Sequence, residues 1–178
     1  ARPDEAADGE TTAWYSAFWA FCATYLEHRF GSRWCLSPDQ SVLLHAGNRT
    51  VPTQLLVRSP KASNNVTALM HGTSIMELKS DIPPAEELET IDGLRVLPLP
   101  QALISSGPRL FATCPTDARA ALACFRDASE ILPVLLEGGH STIAGRLAGA
   151  FRNIGRARIA DDILKAMRAA AYTVAESN

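Results

Sequence analysis

Chemistry in this chain could come from four histidines, a pair of adjacent aspartates, two glycine-rich pieces and a cluster of arginines. His28 sits in LEHRF near the end of a helical pattern, where a helix terminus favours its cationic form. His45 closes a short helix with no acid next to it in sequence, His71 precedes a glycine turn, and His140 precedes Ser141 at a helix start. A serine nucleophile needs a base and an orienting acid within hydrogen-bond reach. No G-x-S-x-G setting is present to provide one. Asp161 and Asp162 are neighbours on a helix and point about 100° apart, which is poor geometry for sharing one metal or one proton. The pieces at Gly72 and at Gly138 (GGHSTIAGRLAG) lack the lysine and hydroxyl of a phosphate loop. Gly138-Gly139 before a helix start could still offer free amides to an anion, beside its plainer role of helix stop and start. These residues point to no catalytic site, no metal site and no cofactor.

The arginines are more suggestive. Arg146, Arg152 and Arg156 fall within GRLAGAFRNIGR, and Arg158 follows closely. Guanidinium groups match phosphates and carboxylates through a bidentate fork. These four are therefore candidates for contact with a nucleic-acid backbone or a partner, or equally with the acidic 77–92 segment of this or another copy, beside the plainer reading of solvated arginines with a few internal ion pairs. Phe151 is the one aromatic among them, too few for a stacking platform, which disfavours single-strand stacking. Gly145 and Gly149 lie one turn apart on the same helix. Glycine there costs helix propensity but lets another helix approach closely. The expectation is that something packs against that face, from this domain or from another.

The bulk properties exclude several classes. The chain has 178 residues, 47% hydrophobic and 20% charged, with a formal net charge of −2. That suits an ordinary globular domain able to bury a core unaided, with no global field favouring nucleic acid. The charge is uneven: Glu77, Asp81, Glu86, Glu87, Glu89 and Asp92 make 77–92 acidic, while the C-terminal part is basic. Four cysteines at 22, 35, 114 and 124 have neither C-x-x-C nor finger spacing, so four reduced thiols are expected. Cys22 and Cys124 fall in apolar helical patterns, as small hydrophobes do. No apolar run reaches the ~18 residues of a membrane span, and no signal peptide is seen. A reducing cytoplasm is the expected location. The opening ARPDEAADGE, without methionine, reads as a fragment or processed product.

The positioning elements follow from periodicity. Residues 1–10 read as a linker or arm. Trp14, Tyr15, Phe18, Trp19, Cys22, Tyr25 and Leu26 predict an amphipathic helix capped by Thr11 or Thr12 and ending near Gly31. Ser37-Pro38 starts a short helix. Strands are expected at Gln54–Ser59, Val66–Met70, Ser74–Leu78 and Leu94–Pro98, with an Asp92-Gly93 hairpin turn. Helices follow from Pro100. One is capped by Thr116, one starts at Ser129, one starts at His140 or Ser141, and the last carries Ile159, Ile163, Leu164 and Met167. The fold class expected is α+β: a small, mostly antiparallel sheet with an N-terminal amphipathic helix and a C-terminal helical bundle. Residues 11–115 form the mixed part and 116–178 the helical part of the same domain.

The stretch RWCLSPDQSVLLHAGNRTVPTQLLVRSPKASNNVTALMHGTSIMELK, Arg33 to Lys79, resembles the region upstream of the catalytic domain in a group of bacterial Fic-family proteins. That region is in turn similar to the body of AbiEi-type antitoxins. The resemblance continues through DGLRVLPLPQALI and through PTDARAALACFRDASEILPVLLEGGHSTIAGRLAGAFRNIGR to IADDILKAMRAAAY, nearly the whole chain. Fic enzymes transfer AMP or a related group to a protein hydroxyl, using a histidine base and a glycine-rich anion site within HPFxxGNGR. That box is not in this sequence, so no catalytic role carries over. The inhibitory motif of many Fic proteins, (S/T)xxxE(G/N), has its nearest look-alike in HSTIAG, where His140 replaces the hydroxyl residue and Ala144 the glutamate. The resemblance implies a non-catalytic regulatory or interaction module. Its expected partners are the Fic catalytic domain or a winged-helix domain of the parent protein, or a second copy in a homodimer. The alternative is an antitoxin-like transcriptional regulator contacting DNA through Arg146, Arg152, Arg156 and Arg158. A transferase in its own right is the remaining enzyme alternative.

Overall fold

The computed structural model describes residues 3–106, 109–138 and 140–176. The fold is α+β and divides into two compact units, 1–98 and 99–178. The division falls earlier than the 115/116 boundary expected from the sequence, because the helices at 99–105 and 109–113 belong with the helical unit.

The first unit opens with α1 (Pro3–Phe30). The segment read as a linker is thus helical from Pro3 onward. Trp14, Phe18, Cys22, Leu26 and Phe30 are buried. They follow strict four-residue steps, the ridge a helix presents for packing. Tyr15, expected in that stripe, is exposed. Gly31, with φ of +63°, ends the helix in the left-handed conformation glycine tolerates. Each of the three indole N–H groups finds an acceptor: Trp14 donates to Thr73 Oγ1, Trp19 to the Arg49 carbonyl and Trp34 to Glu27. Buried tryptophans usually need such a partner.

Strands β1 (Cys35–Leu36), β2 (Gln54–Ser59), β3 (Val66–Ala68) and β4 (Ser74–Lys79) form one sheet in the order β1-β2-β4-β3. The outer pairings are antiparallel, but the longest, β2 with β4, is parallel. Most pairings, including that within the later hairpin at 89–96, are thus antiparallel, as expected, and the central parallel pair is the exception. The intervening β3 lies outside β4, so β2 and β4 run the same way and meet at the centre. Leu55 and Val57 of β2 and Ile75 of β4 face the core beside the α1 ridge. Helix α2 (Pro38–His45) is capped by Ser37, whose hydroxyl accepts from the Gln40 amide. The hairpin β5 (Glu89–Ile91) and β6 (Leu94–Val96) turns at Asp92-Gly93, both at positive φ, as the sequence led one to expect.

The second unit is helical: α3 (Leu99–Ser105), α4 (Arg109–Thr113), α5 (Pro115–Ala123), α6 (Leu132–Glu137), α7 (Ser141–Asn153) and α8 (Ala157–Glu176). Pro115, not Thr116, leads α5, since proline at the first position loses no helical hydrogen bond. Asp127, not Ser129, caps the next turn by accepting from the Ser129 amide. Cys124 is exposed at the end of α5 rather than buried. The core gathers Leu122, Phe125, Leu135, Leu147, Phe151 and Ile163, with Phe125 and Phe151 edge to face at 5.7 Å. Gly155, at φ +82°, turns α7 into α8.

Candidate functional site

The titratable groups of the first unit mostly serve structure. Glu77 faces inward on β4, in register with Ile75, and its side chain is only 3% exposed. The Arg29 guanidinium meets it with a fork at 2.6 and 2.7 Å. The Ser63 hydroxyl and amide donate to the same carboxylate at 2.8 and 3.1 Å. The Arg29 bond chiefly, helped by Ser63, holds the carboxyl down at about 2. A buried carboxylate with four donors is stable as an anion and poorly suited to proton transfer. It joins the C-terminal turn of α1, the loop after β2 and strand β4. The sequence reading had grouped Glu77 with the acidic 77–92 segment; the signal it overlooked was a charge in the inward register of SIMELK.

The rest of that segment is dispersed. Asp92 pairs with Arg49 at 2.9 Å. Glu89 lies 3.6 Å from His45 Nε2, which donates to the Leu97 carbonyl at 2.8 Å. Glu86 and Glu87 are exposed on a 3-10 turn. The four cysteines are free, and burial pushes the thiols of Cys22 and Cys35 up to about 12 and about 11, so they are inert at neutral pH. Among the described residues no group of His, Cys, Asp and Glu could hold a metal, and no helix is long and apolar enough to cross a membrane.

The four arginines singled out by sequence have different surroundings. Arg152 binds Asp161 at 2.6 Å, tying α7 to α8. Arg156 donates to the Ala123 carbonyl at 3.3 Å, at the C-terminal end of α5, where a cation is favourable. Arg158 lies near enough to Asp127 to help lower its carboxyl, after the larger contribution of Ser129. Arg146 alone of the four has neither an ion pair, a hydrogen bond nor an electrostatic partner among the described residues. Gly138, read as a helix stop, does close α6, and a side chain there would collide with the His140 ring.

Arg146 stands beside the feature of this unit best suited to binding. A surface groove of about 750 Å³ runs between α7 and the segment from α3 to α5. Ile143, Arg146, Leu147, Ala150, Asn153 and Ile154 line one side, the three- and four-residue spacing of one helical face. Pro115, Ala118, Arg119 and Leu122 of α5 line the other, with Leu103, Ile104 and Phe111 from α3 and α4. The lining is mainly apolar, holds two arginines and contains no acidic residue. Arg119, like Arg146, makes no ion pair or hydrogen bond among the described residues. Gly149 lines the same groove, and a Cβ built on Gly145 or Gly149 would meet nothing within 4 Å. The close packing anticipated on the glycine face is therefore not supplied by the described residues.

The sequence reading missed Arg119, which sits beside the buried Ala118 and Leu122 but is exposed. A cation next to an apolar helical stripe was the available clue. A separate shallow depression of about 480 Å³ brings Lys165 and Arg168 of α8 beside Arg152 and Asp161. No family model matches this chain, and neither a curated protein nor a solved structure matches it.

Proposed function

We infer that this chain is a non-catalytic regulatory and interaction module of a Fic-type, toxin–antitoxin-related protein working in the cytoplasm. The sequence resemblance supplies the setting. The observation that carries the reading is the uncovered apolar groove between α7 and α3–α5, a surface that water solvates poorly and that a protein partner would cover. The partner is the Fic catalytic domain or the winged-helix domain of the parent protein. Size-exclusion of this chain mixed with each separately made domain tests the reading. Co-elution with one of them at about micromolar concentration is expected; separate elution from both overturns it.

A second reading has its own observation. Arg152, Lys165 and Arg168 line a shallow depression with a single acid, Asp161, and such a cationic patch suits a nucleic-acid backbone. An antitoxin-like regulator of this kind would bind DNA with an affinity that falls steeply as salt rises. A mobility-shift titration at two salt concentrations checks it. Loss of binding in Arg152→Ala plus Arg168→Ala supports the DNA reading, and absence of any salt-sensitive shift removes it.

A further inference from the structure

We propose that the groove between α7 and α3–α5 takes an amphipathic helix whose apolar stripe is flanked by acidic residues. This rests on reading the groove as a partner surface, and it states the chemistry of the occupant. The argument is charge complementarity around an apolar floor. Leu147 and Leu122 provide floor from opposite sides, and each side also carries an exposed arginine, Arg146 and Arg119. Neither guanidinium has an acidic partner among the described residues, and no carboxylate lines the groove. A helix laid along the floor buries its i, i+3, i+4 and i+7 residues there. Acids on both of its flanks then meet one arginine on each side. A polar duplex backbone would leave the floor uncovered, whereas a helix satisfies floor and rim together. Gly149, with open space at its Cβ position, lets the incoming backbone come close.

The test uses the intact chain and two fluorescein-labelled synthetic helices with the same leucine pattern, one flanked by glutamates and one by lysines. Fluorescence anisotropy is expected to show the glutamate helix binding and the lysine helix not binding. Arg119→Glu plus Arg146→Glu should weaken the glutamate helix by about tenfold or more and favour the lysine helix. Both positions are exposed, so the fold should survive, which circular dichroism verifies. Gly149→Met offers an independent block: its side chain enters the groove and should abolish binding while the helix stays folded.

Equal binding of both helices, or of neither, overturns the proposal. So does binding of a DNA duplex that is lost in the double arginine variant while the glutamate helix stays free. An apolar anion, anilinonaphthalene sulfonate, is the small-molecule probe: if it fluoresces and the glutamate helix neither binds nor displaces it, the occupant is not a helix. Co-elution with a Fic or winged-helix domain combined with failure of the glutamate helix removes only the acidic-helix assignment. Binding of the glutamate helix without co-elution removes only the assignment of those domains.

Discussion

In the unit of residues 1–98, the polar groups that enter the interior arrive with partners, the Gln40 side-chain Nε2 excepted. In the unit of residues 99–178, an apolar surface is left open with cations waiting at its rim. The first unit packs the Trp14–Phe30 ridge of α1 against the sheet, finds an acceptor for every indole N–H, and surrounds Glu77 with four donors. The second packs its helices over Leu122, Phe125, Leu135, Leu147, Phe151 and Ile163, and its groove has no cover among the described residues. The first arrangement is that of a scaffold, whose interactions are consumed in holding itself together. The second is that of a surface whose remaining interactions are available to another molecule. All three tryptophans lie in the first unit, so their fluorescence follows its unfolding alone, while far-ultraviolet dichroism is weighted toward the helices of both.

The largest effect should come from the α1 ridge. Phe18 is fully buried and touches the rings of Trp14 and Trp19 edge to face. Phe18→Ala removes that ring and leaves a cavity, at a cost of about 3–5 kcal/mol. Urea unfolding followed by tryptophan fluorescence is expected to shift by that amount. A shift confined to fluorescence would show two units that unfold independently. Parallel shifts in fluorescence and dichroism would show one cooperative structure.

Next comes the buried ion pair. Arg29→Met leaves the Glu77 carboxylate buried with only Ser63 to stabilise it, and should cost about 3 kcal/mol. Acid provides the same test without mutation. The Glu77 carboxyl titrates at about 2 in the folded chain, against an ordinary value of 4.5. The unfolded chain therefore takes up this proton first as pH falls. The stability contributed by Glu77 is complete above about 4.5 and is lost progressively between about 4.5 and 2. Fluorescence-detected stability should decline through that window, and the decline should be shallower in Glu77→Gln. An unchanged slope in the variant would show that other carboxylates govern acid unfolding.

The sequence made the elements legible more readily than their partnerships. The α1 stripe, the Ser37-Pro38 helix start, the Asp92-Gly93 hairpin and the break at Gly155 are local signals, and the structure has each of them. The parallel pairing of β2 with β4 was not legible, because alternation along QLLVRS and SIMELK fixes which face is buried but not which strand lies alongside. The arginines show the same limit. Their sequence offers them as contact candidates or as internal ion pairs without saying with whom, and Arg152, Arg156 and Arg158 look toward Asp161, the Ala123 carbonyl and Asp127. Arg119 joined Arg146 across the groove only once α5 and α7 had been placed. No local pattern encodes a contact that depends on how two helices pack.

The glycine face separates the units' characters at smaller energy. Gly145 and Gly149 lie inside α7 at ordinary helical φ, with room for a Cβ. Gly145→Ala and Gly149→Ala should each stabilise the helical unit by roughly 0.5–1 kcal/mol, since alanine loses less conformational freedom in a helix. Thermal unfolding followed by dichroism measures this. A gain at Gly149 accompanied by weaker partner binding would mean that stability has been given up there for access. A loss would mean that a neighbour does occupy the space.

The smallest effect distinguishes support from recognition. Arg152 and Asp161 form a short bond, but both side chains are largely exposed, at 48% and 67%. An exposed pair contributes about 0–1 kcal/mol, and salt screens it. Arg152→Ala should therefore move the dichroism-detected midpoint very little. If Arg152 belongs to a DNA-contacting patch with Lys165 and Arg168, the same change should weaken duplex binding and flatten its salt dependence by about one phosphate contact. A variant that keeps its stability but binds DNA less well would place recognition on α7 and α8, away from the groove. A variant that changes neither would leave Arg152 as a solvated tie between two helices, with the groove carrying the partner surface.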